Sequence, residues 1–144
     1  MGKNDGHIRF AHSESPFNEY VIELVLSGWY NTLSVVRRQL RRRDHTYDNE
    51  LLQEVSTVGL LHRARPFMFK LEVFDNAMVT LTKDDESKPF MQFGGNTVPP
   101  EYIAFLKFDV DMVYFYDCPL RNEPTATIGG KNAVLLQCAI PPQS

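Results

Sequence analysis

Alternation of apolar and polar residues is the feature that most restricts what this chain can fold into. Beyond Pro66, apolar side chains recur at every second position, as Phe67, Phe69, Leu71 and Val73. A period of two places alternate side chains on the same face of a β-strand. Asp75-Asn76 is a typical turn pair, and residues 77–82 return as a second strand. The sequence therefore predicts a β-hairpin here.

Further strands are predicted on both sides of this hairpin. Residues 19–26 are rich in β-branched and aliphatic residues and end at Ser27-Gly28. Three later segments have similar composition and punctuation, and we predict strands over residues 102–110, 112–116 and 133–140.

Two helices are predicted between the first strand and the hairpin. Leu33, Val36 and Leu40 have the i, i+3, i+7 spacing of a buried helical stripe, and Thr32 is a suitable N-cap for a helix over residues 32–43. Asp48 similarly caps a second helix over residues 48–58. We therefore predict an α+β fold, an antiparallel sheet of about five to six strands with two helices packed on one face.

Length and composition fit one domain. The chain has 144 residues, of which 43% are hydrophobic. We predict a flexible N-terminal lead-in over residues 1–17, a single globular domain over residues 18–140 and a disordered tail over residues 141–144. The first six residues lack the apolar stretch of a signal peptide, and no apolar run approaches the ~20 residues of a membrane span.

A cluster of arginines is the sharpest functional feature. The net charge is −3, yet five arginines occur close together in the first predicted helix: Arg37, Arg38, Arg41, Arg42 and Arg43. On a helix most of them would lie away from the apolar stripe, where planar guanidinium groups suit phosphate and anionic lipid head groups. The alternative is a solvated helix face that pairs with acidic residues from the second half of the chain.

A second candidate for partner binding is Pro99-Pro100-Glu101-Tyr102. It matches the Pro-Pro-x-Tyr pattern that WW domains bind, with Pro99, Pro100 and Tyr102 as the contact residues. The alternative is an ordinary loop that leads into the following apolar strand.

The sequence contains no recognisable catalytic or metal-binding pattern. Gly-x-Ser-x-Gly, Walker and Gly-x-Gly-x-x-Gly sequences are absent, and the four histidines lack metal-ligand spacing. Asp109 and Asp111 share a strand face and could act in acid–base chemistry, although exposed surface charge is the simpler interpretation. Cys118 and Cys138 are expected to be reduced thiols. We therefore predict a non-enzymatic protein without catalytic residues, metal, cofactor or small-molecule substrate.

Several short segments resemble the central domain of rhabdovirus matrix proteins. After the strand and helix come Asp44-His45-Thr46-Tyr47, Arg65-Pro66-Phe67, Pro100-Glu101 and Tyr116-Asp117. The resemblance covers roughly two-thirds of the chain and lies in the order of these pieces. It implies a viral structural protein that self-associates, condenses the nucleocapsid and lines a membrane.

The leading hypothesis is thus a matrix-like virion protein that contacts anionic membrane or ribonucleoprotein through its basic helix. Its expected partners are a second copy of the chain, anionic lipid head groups or viral nucleocapsid, and a host WW-domain protein. Its expected location is the cytoplasm or nucleus of a host cell, the inner face of a membrane, or the virion. The alternatives are a nucleic-acid-binding accessory protein, a non-enzymatic protein-interaction domain, and an enzyme of unrecognised fold.

Overall fold

The protein is almost entirely β-structure. The computed structural model describes residues 1–95 and 99–114, together with the backbone of residues 133–134. In these residues there are nine strands and one four-residue turn, α1 (Gly28–Asn31); the strands are β1 (Gly6–Ala11), β2 (Glu19–Ser27), β3 (Leu33–Arg41), β4 (Tyr47–Ser56), β5 (Phe69–Phe74), β6 (Val79–Lys83), β7 (Met91–Phe93), β8 (Tyr102–Lys107) and β9 (Ala133–Val134).

The chain divides into two compact units, each with its own sheet. The single globular domain expected over residues 18–140 stays a prediction. The first unit contains Met1–Met68 and Pro100–Tyr114. It is built on a five-stranded antiparallel sheet with the strand order β4-β3-β2-β1-β8. The second unit contains Phe69–Pro99 and Phe115–Ser144, and its sheet has the order β7-β6-β5-β9.

The predicted α+β fold with two packed helices is wrong. Residues 33–41 form β3 and residues 47–56 form β4, and these two strands pair along their whole length. Val35 and Val36 are both buried although they point to opposite faces of the sheet. A strand buried on both faces loses simple alternation, so Leu33, Val36 and Leu40 matched a helical spacing by coincidence.

The segment predicted to be a lead-in contains a central strand. β1 lies between β2 and β8 and pairs with both. Its sequence, Gly-His-Ile-Arg-Phe-Ala, has few β-branched residues and carries charge, so its propensity is weak. Pairing on both sides supplies the stability that local propensity does not.

The apolar core of the first unit follows from strand register. Ile8, Leu24 and Val36 lie opposite one another on β1, β2 and β3, and all three are fully buried. Burying aliphatic side chains of this size contributes roughly 1.5–3 kcal/mol each. Phe10 and Leu26, also buried, extend the same face. This row fixes the register and therefore determines which side chains share the opposite face.

The second unit contains the predicted hairpin. β5 and β6 pair antiparallel, with Leu71 opposite Leu81. Gly94 directly follows β7. Its φ is +83°, and a Cβ there would lie 2.4 Å from the carbonyl oxygen of Ala77. Glycine is needed at this position because both the backbone conformation and the close approach exclude a side chain.

The strands predicted near the C-terminal end are only partly represented. The strand predicted over residues 102–110 is shorter and ends at Lys107, where β8 ends. Met112 makes an isolated bridge with Gly2 instead of belonging to a strand. Cys118, Cys138 and the predicted tail at residues 141–144 lie outside the described residues. In the part of the chain that the structure describes, no helix is long and apolar enough to cross a membrane.

Candidate ligand-binding cleft

The arginine cluster does not form a helical surface. Arg37, Arg38 and Arg41 belong to strand β3, where consecutive side chains point to opposite faces, and Arg42 and Arg43 lie in the connection to β4. The predicted amphipathic basic helix is therefore wrong, because three of these arginines lie on an extended strand and the other two in the connection that follows it. Anion binding by the individual arginines stays a prediction.

All five of these arginines contact neighbouring side chains, and Arg41 Nη2 donates to Gln39 Oε1 at 3.4 Å. Arg38 pairs with Glu50 at 3.0 Å and lies 4.3 Å from the centre of the Tyr20 ring. The other contacts join Arg42 to Asp48, Arg43 to the ring of Phe17, and Arg37 to Glu23. The basic segment is thus largely compensated by nearby carboxylates and rings, and the Arg37 contact is the most buried of them.

Glu23 is the centre of a buried ionic cluster. It is fully buried on β2, and register places it opposite Arg9 on β1 and Arg37 on β3. Arg9 Nε donates to Glu23 Oε2 at 2.5 Å, and Arg37 donates to Oε1 through Nε at 2.9 Å and Nη2 at 2.5 Å. His7 Nδ1 lies 3.5 Å from Oε1. One buried carboxylate is therefore surrounded by three cationic or polar nitrogen groups.

These contacts decide the charge of Glu23. Burial raises the pKa of its carboxyl, but hydrogen bonds from His7, Arg37 and Arg9 outweigh burial and hold that pKa well below its usual range. Glu23 is consequently ionised in the folded protein, and the guanidinium of Arg37 is held by it.

The same sheet face carries an open cleft of about 370 Å³. Its wall combines aromatic rings with polar side chains, and the lining residues are Asn4, Asp5, His7, Val25, Trp29, Tyr30, Arg37, Tyr47, Phe108 and Asp109. Phe108 stacks on the His7 imidazole with 6.0 Å between ring centres and 4° between planes. Half of the lining residues are polar or charged, so the cleft is more polar than most small-ligand sites, and its aromatic rings are what make it a candidate site.

The turn that contributes two of these rings is strained. In α1, Trp29 and Tyr30 have φ/ψ of 48°/60° and 58°/41°, which is left-handed backbone and not a right-handed helix. Ser27 and Asn31, on either side, also have positive φ. For residues other than glycine and asparagine this conformation costs roughly 1–2 kcal/mol each.

Hydrogen bonds hold the strained turn in place. Asn31 Nδ2 donates to the carbonyl of Leu61 at 2.8 Å, and Asn31 Oδ1 accepts from the Leu61 amide at 3.0 Å. Ser27 Oγ lies 2.6 Å from Asn31 Oδ1 and 3.0 Å from the carbonyl oxygen of Thr57. Ser34 Oγ accepts from the Ser27 amide at 2.9 Å and lies 2.7 Å from Thr57 Oγ1. The turn conformation is thus determined by contacts with β3 and with the segment after β4.

Trp29 and Tyr30 remain exposed despite this support. Their exposed fractions are 51% and 94%. The protein thus maintains a costly backbone conformation whose side chains bury little surface. Strain of this kind is typical of functional sites.

Asp5 and Asn4 provide acceptors at the wall of the cleft. Asn4 Nδ2 donates to Asp5 Oδ2 at 2.8 Å, while the Asn4 Oδ1 atom is buried and has no hydrogen-bond partner. Gly28 allows Asp5 to approach the turn, because a Cβ on Gly28 would lie 2.7 Å from Asp5 Oδ1. Burial raises the pKa of the Asp5 carboxyl; His7 and Arg37 oppose this rise, and Asp109 adds to it.

Other candidate residues from the sequence lie elsewhere. Tyr102 is the first residue of β8 and pairs with Ala11, and Pro99 and Pro100 are half-buried; WW-domain binding stays a prediction. Asp109 and Asp111 do not act as a pair, since Asp109 lines the cleft and Asp111 forms an exposed ion pair with Lys107 at 2.7 Å.

Sequence reasoning missed the cleft because its residues are far apart in the chain. Asp5, Trp29, Arg37 and Phe108 come together only through the pairing of β8, β1, β2 and β3. One local signal was present: Trp29 is the single tryptophan and directly follows the Ser27-Gly28 break. An isolated tryptophan in a turn is a candidate contact residue.

Comparison with known proteins overturns the viral hypothesis. No curated protein and no solved structure matches this chain. The family model described as farnesoic acid O-methyl transferase matches residues 1–120. The resemblance to rhabdovirus matrix proteins, and with it the matrix, virion and ribonucleoprotein-binding roles, is therefore wrong, because the matrix pieces were individually short. The matched region includes the complete cleft, and the chain belongs to the farnesoic acid O-methyl transferase family.

Proposed function

We propose that this protein is a small-ligand-binding domain and that its cleft holds the ligand without catalysing a reaction. The observation that carries the proposal is the left-handed turn with Trp29 and Tyr30 at the cleft wall. A fold gains no stability from keeping two exposed aromatic residues in this conformation. A ligand that stacks on those rings supplies a reason to keep them there.

The rigidity of the surroundings supports the same proposal. Ser27 and Asn31 fix the turn through side-chain hydrogen bonds, and Glu23 fixes Arg37. The cleft is therefore organised before any ligand arrives. Preorganisation reduces the ordering cost of binding and is a property of sites placed on rigid elements.

Methyl transfer, which the family description suggests, fits the cleft poorly. It requires room for a methyl donor such as S-adenosylmethionine beside a long apolar acid, whereas about 370 Å³ lies near the lower end of the range for a single ligand. Farnesoic acid carries a carboxylate, and Asp5 and Asp109 would repel it. The Arg37 guanidinium, which would attract it, is already bound by Glu23. We therefore derive no catalytic step from these residues.

Fluorescence of Trp29 gives a direct test, because it is the single tryptophan. The full chain is titrated with small neutral, cationic and anionic compounds that carry an apolar portion. We expect saturable changes in emission with at least one class. Phe108→Ala should weaken binding by about fivefold to tenfold through loss of one ring contact. Tyr20→Ala, which removes an exposed ring outside the cleft, is the matched control and should leave binding unchanged.

A parallel assay incubates the chain with S-adenosylmethionine and farnesoic acid. Methyl ester formation that Asp5→Asn or Phe108→Ala abolishes would overturn the proposal in favour of an enzyme. Failure of every compound class to change Trp29 emission in the folded protein would overturn it as well.

A further inference from the structure

We propose that the ligand of this cleft is an uncharged sugar, either a monosaccharide or the terminal ring of a longer glycan. This inference rests on the proposed binding function and adds the chemical class of the ligand. Three features carry it, namely aromatic rings without packing partners, unpaired hydrogen-bonding groups beside them, and wall charges of both signs. The volume of about 370 Å³ limits the enclosed part of the ligand to a small molecule.

Three aromatic rings of the cleft are available to a ligand. Trp29, Tyr30 and Tyr47 are exposed, and within residues 1–95 and 99–114 none of them stacks on another ring or has a cation over its face. Phe108 differs, because its ring already stacks on the imidazole of His7. A flat, exposed ring packs against apolar surface, and the C–H face of a pyranose ring is a flat surface of this kind.

Hydrogen-bond donors accompany these rings. The indole N–H of Trp29 and the hydroxyl groups of Tyr30 and Tyr47 make no hydrogen bond within the described part of the chain. Arg37 donates to Glu23 through Nε and Nη2, and its Nη1 group has no acceptor among the same residues. The wall therefore offers apolar faces and free donors together, which suits a ligand that has an apolar face and a rim of hydroxyl groups.

Asp109 supplies a free acceptor at the same wall. Its side chain is exposed and, among residues 1–95 and 99–114, it forms neither an ion pair nor a hydrogen bond. The other carboxylate of the wall is already engaged, since Asp5 accepts from Asn4 and lies 4.0 Å from His7. A carboxylate has two acceptor oxygens and can bind two neighbouring hydroxyl groups at once. Neighbouring hydroxyl groups on one ring are the common feature of sugars.

The charges of the wall disfavour ionic and purely apolar ligands. A cation would meet Arg37, and an anion would meet Asp5 and Asp109, in either protonation state of His7. A purely apolar ligand would cover Arg37 Nη1 and the Asp109 carboxylate without giving them hydrogen bonds, which is unfavourable for charged groups. An uncharged ring that carries hydroxyl groups avoids both penalties.

The test titrates the full chain with sugars and follows Trp29 fluorescence. The probes are the methyl glycosides of glucose, galactose, mannose and N-acetylglucosamine. Sorbitol carries hydroxyl groups but no ring face, and cyclohexylmethanol has a ring face but no rim of hydroxyl groups. We expect a saturable change with at least one glycoside, which should bind about tenfold more tightly than either comparison compound.

Variants of one ring and one carboxylate locate the bound sugar. Tyr47→Ala should weaken glycoside binding by about fivefold to tenfold, and Asp109→Ala should weaken it by about tenfold. Tyr20→Ala and Asp111→Ala are the matched controls and should leave binding unchanged, because these residues are an exposed ring and an exposed carboxylate outside the cleft. All four side chains are exposed, so the variants should fold, which circular dichroism checks.

The outcomes separate the two proposals. Equal or tighter binding of sorbitol or cyclohexylmethanol overturns the sugar assignment and leaves the cleft as a binding site. The same conclusion follows if no glycoside binds while another compound class does. Glycoside binding that Tyr47→Ala and Asp109→Ala leave unchanged would put the sugar elsewhere and overturn this inference. Absence of any response from a folded protein, with the sugars and with the wider compound panel, overturns both proposals.

Discussion

Arg37 and Glu23 lie directly opposite each other on adjacent strands, and Arg37 Nη2 donates to Glu23 Oε1 at 2.5 Å. The partners are fourteen residues apart in the chain. Arg37 belongs both to the buried ionic cluster around Glu23 and to the wall of the cleft, so this contact connects the two. One of the five arginines predicted to bind anions is therefore held by a buried carboxylate of its own sheet.

Glu23→Gln should destabilise the protein strongly. The substitution leaves Arg9 and Arg37 without a compensating charge beside a buried amide. Removing one partner of a buried pair costs about 3–5 kcal/mol, and the partial exposure of both arginines reduces this to about 2–4 kcal/mol. Urea denaturation measures the loss.

Glu50→Gln is the matched control for this experiment. Glu50 also pairs with an arginine from β3, at 3.0 Å from Arg38, but both side chains are largely exposed. We expect a loss of about 0.5 kcal/mol or less. Equal losses in the two variants would show that burial around Glu23 is not what makes its ion pairs important.

Stability should fall in acid because of Glu23. Its pKa is lowered in the folded state, so its contribution is fully present above the unfolded value of about 4.3 and is lost as pH falls towards the folded value. The raised pKa of Asp5 has the opposite sign, since protonation favours the folded form there. We expect Glu23 to dominate, because it is more deeply buried and makes more hydrogen bonds.

Denaturation of the parent and of Glu23→Gln at pH 7 and at pH values below about 4 checks this assignment. The parent should lose stability over that range, and the variant should lose less. Parallel pH profiles would assign the acid sensitivity to other carboxylates.

Local strands were predictable, whereas the register-dependent contacts were not. The β5–β6 hairpin could be read from alternation and from the Asp75-Asn76 turn pair. β3 could not, because Val35 and Val36 are buried on opposite faces and obscure its period. A spacing of i, i+3, i+7 within nine residues fits a doubly buried strand as well as a helix.

The cleft was beyond sequence reasoning for a related reason. Asp5 and Asp109 are more than one hundred positions apart and meet because β8 pairs with β1. The left-handed conformation at Trp29 is equally hidden, since no glycine occupies that position. It depends on hydrogen bonds from Asn31 to Leu61, thirty residues further along the chain.

Asn31→Ala should disrupt the turn. The substitution removes the two hydrogen bonds to the Leu61 backbone, and alanine tolerates left-handed backbone less well than asparagine. We expect a loss of about 2–3 kcal/mol and a shift in Trp29 emission. Asn76→Ala is the control, because Asn76 accepts one exposed hydrogen bond from the Met78 amide at 3.1 Å. Its loss should be about 1 kcal/mol or less, without a fluorescence change.

The Tyr30→Gly variant should be more stable than the Tyr30→Ala variant. Tyr30 is 94% exposed with φ of 58°, so both substitutions remove the same ring contacts and differ mainly in backbone preference. Alanine keeps the clash between Cβ and the backbone that glycine lacks. Tyr30→Gly should therefore exceed Tyr30→Ala by about 1 kcal/mol in free energy of unfolding. Chemical denaturation of the two variants measures this difference.

Position 20 supplies the control for the sign of this effect. Tyr20 is also exposed but lies in strand β2 and is not among the residues with positive φ. There the order should reverse, with Tyr20→Gly less stable than Tyr20→Ala by about 0.5–1 kcal/mol. If glycine were less stable than alanine at both positions, the turn would be unstrained, and the proposal that Trp29 and Tyr30 are held in place for ligand binding would be contradicted. We expect glycine to be more stable than alanine at position 30 only, and we expect both Tyr30 variants to bind ligand more weakly than the parent.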